Sequence, residues 1–251
     1  MAELRTNTPA VLPAPDEKHD YVRDMFDAIA PRYDLLNSVL SARLHHGWRR
    51  VATRMAHLKA GDSALDVCTG TGDFAFELAG AVGAAGSVTA TDFSAPMLRL
   101  GEEKATRRGS ANIAWRIADT QSLPFADDAF DAVTVGFGIR NVSDIPRGLR
   151  EMARVAKPGG RVVVLEFNNP QNPVIAKLYG WYSFAVLPAL GGLVSGRKAA
   201  YEYLPSSVAA FHGRAELADM MRAAGLADVS VTDLAFGTVV IHRGTKPPAP
   251  R

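Results

Sequence analysis

From residue 64 onward, short apolar segments alternate with amphipathic segments of helical length, and this alternation constrains the fold more than any other feature. Strands alternating with helices at this spacing pair in parallel through right-handed crossovers. The predicted strands are 64–67, 88–91, 113–117, 132–135, 162–165, 229–234 and 239–243, and the predicted helices between them are 74–82, 96–107, 145–156 and 216–224. We therefore expect an α/β protein with a mostly parallel, seven-stranded sheet of the Rossmann-like type.

The two ends of the chain depart from this alternation. Three helices are predicted before the first strand, at 20–29, 33–40 and 48–58, and residues 157–160 are predicted to form a turn. The last two strands are joined by residues 236–238 only. So short a connection makes them an antiparallel hairpin, because a parallel pair needs a crossover of about a dozen residues. We expect one domain at 19–245 with a helical insertion at 174–212, and tails at 1–18 and 246–251.

Composition excludes several classes of protein. The 28 basic and 26 acidic residues are spread evenly, so no nucleic-acid partner is expected. Cys68 is the only cysteine, which excludes a disulfide framework and a cysteine metal site and fits a reducing compartment. The N-terminus lacks the pattern of a signal peptide, and Lys177, Pro188 and three glycines interrupt the apolar stretch 174–194. We expect a cytoplasmic protein.

The segment from Asp66 to Asp73 is a glycine-containing loop at the first strand-to-helix junction. Glycines there let the backbone turn tightly and approach a ligand, and ligands of such sheets bind beyond the carboxyl ends of the strands. Asp92 ends the second strand and could accept from ribose hydroxyls, while Asp119 follows the third and could accept from an adenine amine. The candidate cofactor-binding residues of these loops are Asp66, Gly70, Thr71, Gly72, Asp92, Phe93, Asp119 and Thr120.

A dinucleotide site is the main alternative for this loop. Its G-x-G-x-x-G pattern would place the third glycine at Ala75, which variants of that pattern tolerate. Asp66 and Asp73, however, flank the loop, and two carboxylates would repel a pyrophosphate but attract an ammonium and a sulfonium. This favours S-adenosylmethionine over NAD. The remaining alternative is a glycine-rich turn that binds no ligand.

Several blocks of the chain resemble the ubiquinone/menaquinone C-methyltransferase family, over about residues 20–243. They are 33–41 with His45 and Trp48, 137–142, 154–160 continuing to 165–167, 201–204 with 206–208, and 237–242. Arg43, Asn168 and Arg197 depart from the family pattern, and Gly136 stands where some members carry a serine beside the cofactor. The resemblance implies methyl transfer from S-adenosylmethionine, without a metal, to a ring carbon of a prenylated quinol, most closely a demethylmenaquinol. It adds Gly136 to the cofactor-binding candidates.

Methylation of a ring carbon requires a phenolate, whose charge is delocalised onto the carbon beside the oxygen. Arg140, directly after the fourth predicted strand, is the candidate to stabilise that charge, and Tyr33 and Asn141 are candidates to orient the ring oxygens. The alternatives, which are purely structural, are a surface ion pair for Arg140 and helix packing for Tyr33. We interpret His45 and His46 as surface or packing residues, and His242 likewise, on an edge strand.

The segment 178–193 is rich in apolar and aromatic residues. It is either an ordinary buried helix or a lid for the isoprenoid tail that contacts the membrane surface, which would place the protein peripherally on the inner face of the membrane. A homodimer is compatible with the sequence. Other small-molecule methyltransferases, a non-catalytic cofactor-binding subunit of a quinone-biosynthetic assembly and, more distantly, a dehydrogenase remain alternatives. The sequence leaves open whether the acceptor is a naphthoquinol or a benzoquinol.

Overall fold

The seven predicted strands are all present in the computed structural model, which describes residues 12–14, 17–41, 43–186, 188 and 198–248. The strands are β1 (Ser63–Val67), β2 (Ser87–Asp92), β3 (Ile113–Ile117), β4 (Phe130–Gly136), β5 (Ala156–Phe167), β6 (Ala227–Leu234) and β7 (Val239–Thr245). Their order in the sheet is β3-β2-β1-β4-β5-β7-β6. The first five pair in parallel, and β7 pairs antiparallel with both β5 and β6. The predicted fold class is confirmed.

Nine α-helices are described in these ranges. They are α1 (Lys18–Ile29), α2 (Tyr33–Leu40), α3 (Leu44–Met55), α4 (Asp73–Val82), α5 (Ala95–Arg108), α6 (Ile145–Val155), α7 (Pro173–Trp181), α8 (Lys198–Ala209) and α9 (Arg214–Ala223). A π-helical turn, Tyr182–Val186, follows α7, and short 3-10 turns span Ala30–Arg32, Ile139–Asn141 and Ala235–Gly237. Of the predicted tails, residues 1–11, 15, 16 and 249–251 lie outside the described residues, as do 187 and 189–197 of the predicted insertion.

Alternating strand residues separate two apolar cores on the two faces of the sheet. Leu65 and Val133 face one core, which also holds Leu149 of α6 and Met221 of α9. The intervening Ala64 and Ala132 face the other core, together with Ala52, Phe74, Leu78 and Val163. Because successive strand residues point to opposite faces, near-continuous apolar runs are what a sheet covered on both sides requires. Full burial of a leucine-sized side chain contributes about 1.5–3 kcal/mol.

Three sequence expectations about local structure were wrong. The predicted turn 157–160 lies inside β5, where the pairing with β4 shifts register between Phe130 and Ala132 and Gly159 adopts a φ of 80°. Helix α3 begins at Leu44, directly after Arg43 with its left-handed φ of 62°, and not at Trp48. His242 is fully buried on β7, which lies between β5 and β6, so it is not on an edge strand.

Helix α1 is tied to the carboxyl ends of the strands. The Lys18 ammonium donates to the carbonyl oxygens of Arg140 and Val142 at 2.9 and 3.0 Å. Near the other end of α1, the Asp27 carboxylate accepts from the hydroxyl of Ser94, which also caps α5 by accepting from a backbone N–H. These contacts hold α1 across the edge of the sheet where ligands bind in this architecture. Within the described ranges, no helix is long and apolar enough to cross a membrane.

Candidate active site

A cleft lies at the carboxyl ends of β1 to β4, and we call it the cofactor cleft. Six of the nine predicted cofactor-binding residues line it: Gly70, Asp92, Phe93, Asp119, Thr120 and Gly136. Two of the predicted catalytic residues, Tyr33 and Asn141, line it as well. The topology therefore brings together residues from four strand ends and from the helical lead-in.

Asp92 is a carboxylate of the cleft that backbone groups hold in place. Its side chain accepts from the backbone N–H of Gly70 at 2.8 Å and from that of Ser94 at 2.9 Å. Burial raises the pKa of Asp92 to about 6, and these backbone donors oppose the rise. A ligand that donates hydroxyl protons or carries positive charge would lower this pKa again, since either interaction favours the charged carboxylate.

Gly136, the last residue of β4, and Gly138 allow the backbone to pass very close to its neighbours. A Cβ at Gly136 would lie 2.9 Å from the ring of Phe74, and one at Gly138 would lie 2.4 Å from the Cβ of Cys68. Between them, Phe137 has a φ of 60° and donates its N–H to the Leu165 carbonyl at 2.7 Å. A left-handed φ costs a bulky residue about 1–3 kcal/mol, so this turn is held by its surroundings.

The structure places Asp66, Thr71 and Gly72 away from the surface of the cleft. Asp66 is buried beneath the loop, where it accepts from the hydroxyls of Thr69 at 2.6 Å and Thr134 at 2.7 Å, and burial raises its pKa to about 7. Thr71 donates to Asp34. A Cβ at Gly72 would lie 2.2 Å from the Trp115 ring. These positions shape the loop from behind, and direct contact with a cofactor stays a prediction for them.

Asp73 was expected to offer its charge to a positive ligand, but a cation of the protein already neutralises it. The Lys104 ammonium lies 2.9 Å from Asp73 and 2.8 Å from Asp34, and it donates to Thr71 at 3.0 Å. Although burial raises the pKa of Asp73, Lys104 and Arg49 lower it below the usual range. Lys104 lies more than thirty positions from either carboxylate. No local sequence pattern could have identified this pairing.

A second cavity, of about 430 Å³, lies on the other side of Tyr33, and we call it the apolar cavity. Its walls are rich in aromatic side chains from helices and strand ends, namely Phe26, Tyr33, Trp48, Phe137, Phe167, Tyr179, Tyr182 and Tyr203. Phe26, Tyr33 and Phe137 line both cavities. A small polar group of Asn37, Ser41, His45, Arg49 and Arg140 interrupts the apolar wall.

Arg140 lines the apolar cavity in a buried ion pair. Its Nη1 donates to Glu166 Oε1 at 2.7 Å and to the Phe137 carbonyl at 2.6 Å, and its Nε donates to the Ser207 hydroxyl at 3.3 Å. Glu166 is fully buried, and burial raises its pKa while Arg140 opposes that rise. The surface ion pair considered for Arg140 is therefore wrong. Glu166 was missed as a functional partner, although a carboxylate ending an apolar strand is a signal that could have found it.

Tyr33 and Asn141 are held by aromatic neighbours. The Tyr33 ring packs edge-on against Phe26 with centroids 6.0 Å apart, and burial raises the pKa of its hydroxyl, so the hydroxyl remains a neutral donor near pH 7. Asn141 Oδ1 accepts from the Tyr203 hydroxyl at 3.0 Å, and burial raises the pKa of Tyr203 to about 12. Because its oxygen is engaged, Asn141 can offer its amide N–H groups to a ligand.

His45 is buried and lines the apolar cavity, so it is not a surface residue. Burial and the nearby Arg49 lower its pKa to about 4, which leaves the ring neutral near pH 7. His45, His46 and Asp73 place ligand atoms within 4.8 Å of one another. The Lys104 ammonium on Asp73 would repel a metal ion at that point, so this group does not make a convincing metal site.

Comparison with known proteins decides which family builds a site of this form. Residues 14–246 match the sequence model of the ubiE/COQ5 methyltransferase family. The chain belongs to that family. It is 43% identical to the ubiquinone/menaquinone biosynthesis C-methyltransferase UbiE of Geotalea daltonii, covering 92% of this chain and 98% of that protein. It is 42% identical to the demethylmenaquinone methyltransferase of Shouchella clausii, with the same two coverages.

Solved structures support the fold independently. A SAM-dependent methyltransferase from Aquifex aeolicus superposes with a TM-score of 0.61 at 19% identity. The superposition covers 93% of this chain and 99% of the Aquifex chain. The [4+2]-cyclase SpnF superposes with a TM-score of 0.71 at 18% identity, covering 98% of this chain and 100% of its own. A cyclase on the same scaffold illustrates that fold alone does not fix the reaction.

Family membership, rather than the fold, establishes the chemistry. The protein is a S-adenosylmethionine-dependent C-methyltransferase of quinone biosynthesis, which sets aside the dehydrogenase and the non-catalytic subunit. The cleft fits the co-substrate, because Asp92 offers a carboxylate held by backbone N–H groups. Gly136 lines the same cleft, and its lack of a Cβ leaves room for the ring of Phe74.

Proposed function

We propose that this protein methylates a ring carbon of a prenylated quinol and that its preferred acceptor is a demethylmenaquinol. The observation that carries the proposal is the meeting of the cofactor cleft and the apolar cavity at Phe26, Tyr33 and Phe137. A methyl donor in the first and an aromatic acceptor in the second would face each other across these three side chains. The relatives named for demethylmenaquinone, from Shouchella clausii and Halalkalibacterium halodurans, support the naphthoquinol as acceptor.

S-adenosylmethionine supplies an electrophilic methyl group on a sulfonium. The acceptor must lose a hydroxyl proton to solvent, so that the ring carbon beside the oxygen attacks. A new C–C bond then forms as the C–S bond breaks, and the ring C–H proton is released afterwards. The protein aligns the two reactants and excludes water, and such alignment can contribute up to about 7–11 kcal/mol to lowering the barrier.

Within this scheme, Arg140 stabilises the oxygen that gains negative charge. Glu166 balances much of the Arg140 charge, so Arg140 acts mainly as an oriented hydrogen-bond donor and not as a bare cation. The neutral Tyr33 hydroxyl, which lines both cavities, orients a ring oxygen. Asn141 lines the cofactor cleft and not the apolar cavity, so its amide orients the ring only where the reacting end extends into the cleft. Loss of one such preorganised donor typically lowers kcat about 10²- to 10³-fold.

The described residues of the segment 174–212 cover one side of the apolar cavity in this proposal, as a lid would. Tyr179 of α7, Tyr182 and Ser183 of the π-helical turn, and Tyr203 and Leu204 of α8 line its wall. An isoprenoid chain would lie against these side chains and be shielded from water. Apolar contact of this kind contributes about 25 cal/mol per Å² of buried area.

The test is to incubate the pure protein with labelled S-adenosylmethionine and matched acceptors. These are a demethylmenaquinol, the corresponding benzoquinol, and the oxidised naphthoquinone. We expect methylation of the naphthoquinol above the benzoquinol, and none of the quinone, because the quinone has no hydroxyl proton to lose. Arg140→Lys keeps the charge but not the fork of donors. It is expected to lower kcat and to change KM much less. Methylation of the quinone, or an undiminished kcat in Arg140→Lys, would refute the proposed mechanism.

A further inference from the structure

The outer side of α7 and of the π-helical turn after it carries an exposed apolar stripe. Val174, Leu178, Trp181 and Phe184 are 73%, 61%, 63% and 51% exposed. Their spacing of four, three and three residues places them along one side of the helix. We call these four residues the α7 stripe. Contiguous exposed apolar surface of this kind marks an interaction site on a folded protein.

The stripe lies on the back of the wall of the apolar cavity. Tyr179 and Ser183, which alternate with the stripe residues on the same helical segment, line the cavity. Whatever binds the outer side of α7 is therefore separated from the proposed quinol site by the thickness of one helix. Because the stripe and the proposed quinol site lie on two sides of one helix, we expect the partner to be the medium that holds the substrate.

The charge around the stripe identifies the chemistry of that partner. The sequence contains no acidic residue between Glu166 and Glu202, while Lys177 lies between two stripe residues. Lys177 is exposed. A second copy of the chain would bring like charge against like, whereas an anionic lipid surface attracts basic residues by about 1 kcal/mol each. Tryptophan is also enriched at the membrane–water interface.

We infer that the α7 stripe and Lys177 form the surface with which the protein rests on an anionic lipid bilayer. The inference rests on the proposed function, since a prenylated quinol resides in lipid. Docking through α7 places the cavity wall against the layer that holds the isoprenoid tail. One amphipathic helix gives reversible binding, which suits an enzyme that must return to water for its co-substrate.

The experiment is co-sedimentation of the full chain with vesicles of phosphatidylcholine alone, or of phosphatidylcholine mixed equally with phosphatidylglycerol. The wild type is expected to bind the mixed vesicles more tightly than the neutral ones, and less tightly as salt is raised. The double variant Leu178→Ser/Trp181→Ser is expected to bind the mixed vesicles at least tenfold more weakly, and Lys177→Glu to lose the preference for anionic lipid. Ile117→Ser is the matched control, because Ile117 is also 63% exposed but ends β3.

Methylation of a short-tailed, water-soluble quinol separates this inference from the proposed function. The double variant is expected to methylate that acceptor at the wild-type rate, which also shows that it is folded. Failure of the wild type to methylate any quinol would overturn the proposed function while leaving vesicle binding to be measured. Unchanged vesicle binding by the double variant would overturn the inference, as would a wild-type dimer that dissociates in the double variant during sedimentation velocity.

Discussion

The cofactor cleft and the apolar cavity share Phe26, Tyr33 and Phe137 but are built by different means. In the cleft, backbone groups from consecutive strand ends do most of the positioning, as the N–H groups of Gly70 and Ser94 do for Asp92. In the apolar cavity, side chains far apart in sequence hold one another. Arg140, for example, is fixed by Glu166 and Ser207. The cofactor cleft is therefore built largely from short loops at the ends of strands. The apolar cavity depends on contacts between residues that are far apart in the sequence.

The two cavities also treat charge differently. In the cleft, the Asp92 carboxylate accepts from neutral backbone donors, so most of its charge remains available to a ligand. In the apolar cavity, the Arg140 charge is already balanced by Glu166 at 2.7 Å. The cleft is thus arranged to attract a charged molecule, and the cavity to orient a neutral one that becomes charged only during reaction.

The buried pair behind the apolar cavity should have the largest effect on stability. Glu166→Ala leaves Arg140 without its counterion in a buried position, and such changes typically cost about 3–5 kcal/mol. Urea unfolding followed by circular dichroism measures the loss. Asp219→Ala is the control, because Asp219 pairs with Arg222 on an exposed surface where an ion pair contributes little. Equal losses in the two variants would mean that Glu166 does not balance Arg140.

Asp66, beneath the cofactor loop, should make stability depend on pH. Its pKa of about 7 in the folded protein lies above its value of about 3.9 in an unfolded chain, so the folded state keeps the proton longer. The stability of the wild type should therefore fall as pH rises from about 4 to 7, by at most about 1.4 kcal/mol per pH unit from this group. Asp66→Asn cannot ionise, so the difference in unfolding free energy between the two proteins should change across that window. A constant difference would show that Asp66 is ionised throughout.

The same contrast explains how much the sequence could predict. The parallel sheet, the C-terminal hairpin and the strand-end residues such as Asp92 follow from patterns within a few residues. The partners of Asp73 and Arg140 do not, because Lys104 and Glu166 reach them only through the tertiary fold. The sequence could not choose between a surface and a packing role for His45 for the same reason, since its burial depends on helices that the sequence pattern predicts but does not place in space.

Asp92, which lines the cofactor cleft, and Asp73, which lies behind the cofactor loop, should differ in their effect on S-adenosylmethionine binding. Asp92→Asn removes a charged acceptor, and a hydrogen bond to a charged group contributes about 1.5–3 kcal/mol, so we expect Kd to rise about 10- to 100-fold. Asp73→Asn should raise Kd far less, because Lys104 already neutralises Asp73. Isothermal titration calorimetry compares the two variants. An equal rise in both would mean that Asp73, despite Lys104, still acts on the ligand.

The smallest effect should come from the rim of the apolar cavity, where Leu44 lines the wall and remains 57% exposed. Leu44→Ser removes part of the apolar contact of an isoprenoid tail. At about 0.8 kcal/mol per buried CH₂, and with the side chain only partly buried, the expected cost is about 1 kcal/mol, or roughly a fivefold rise in KM. Leu35→Ser is the matched control, because Leu35 is also 57% exposed but lies on α2 away from the cavity lining. The rise should appear with a long-tailed quinol and disappear with a short-tailed one, since only the long tail reaches the rim. An equal rise with both acceptors would place Leu44 beside the ring and not the tail, and would move the boundary between the reacting end of the cavity and its tail-binding end.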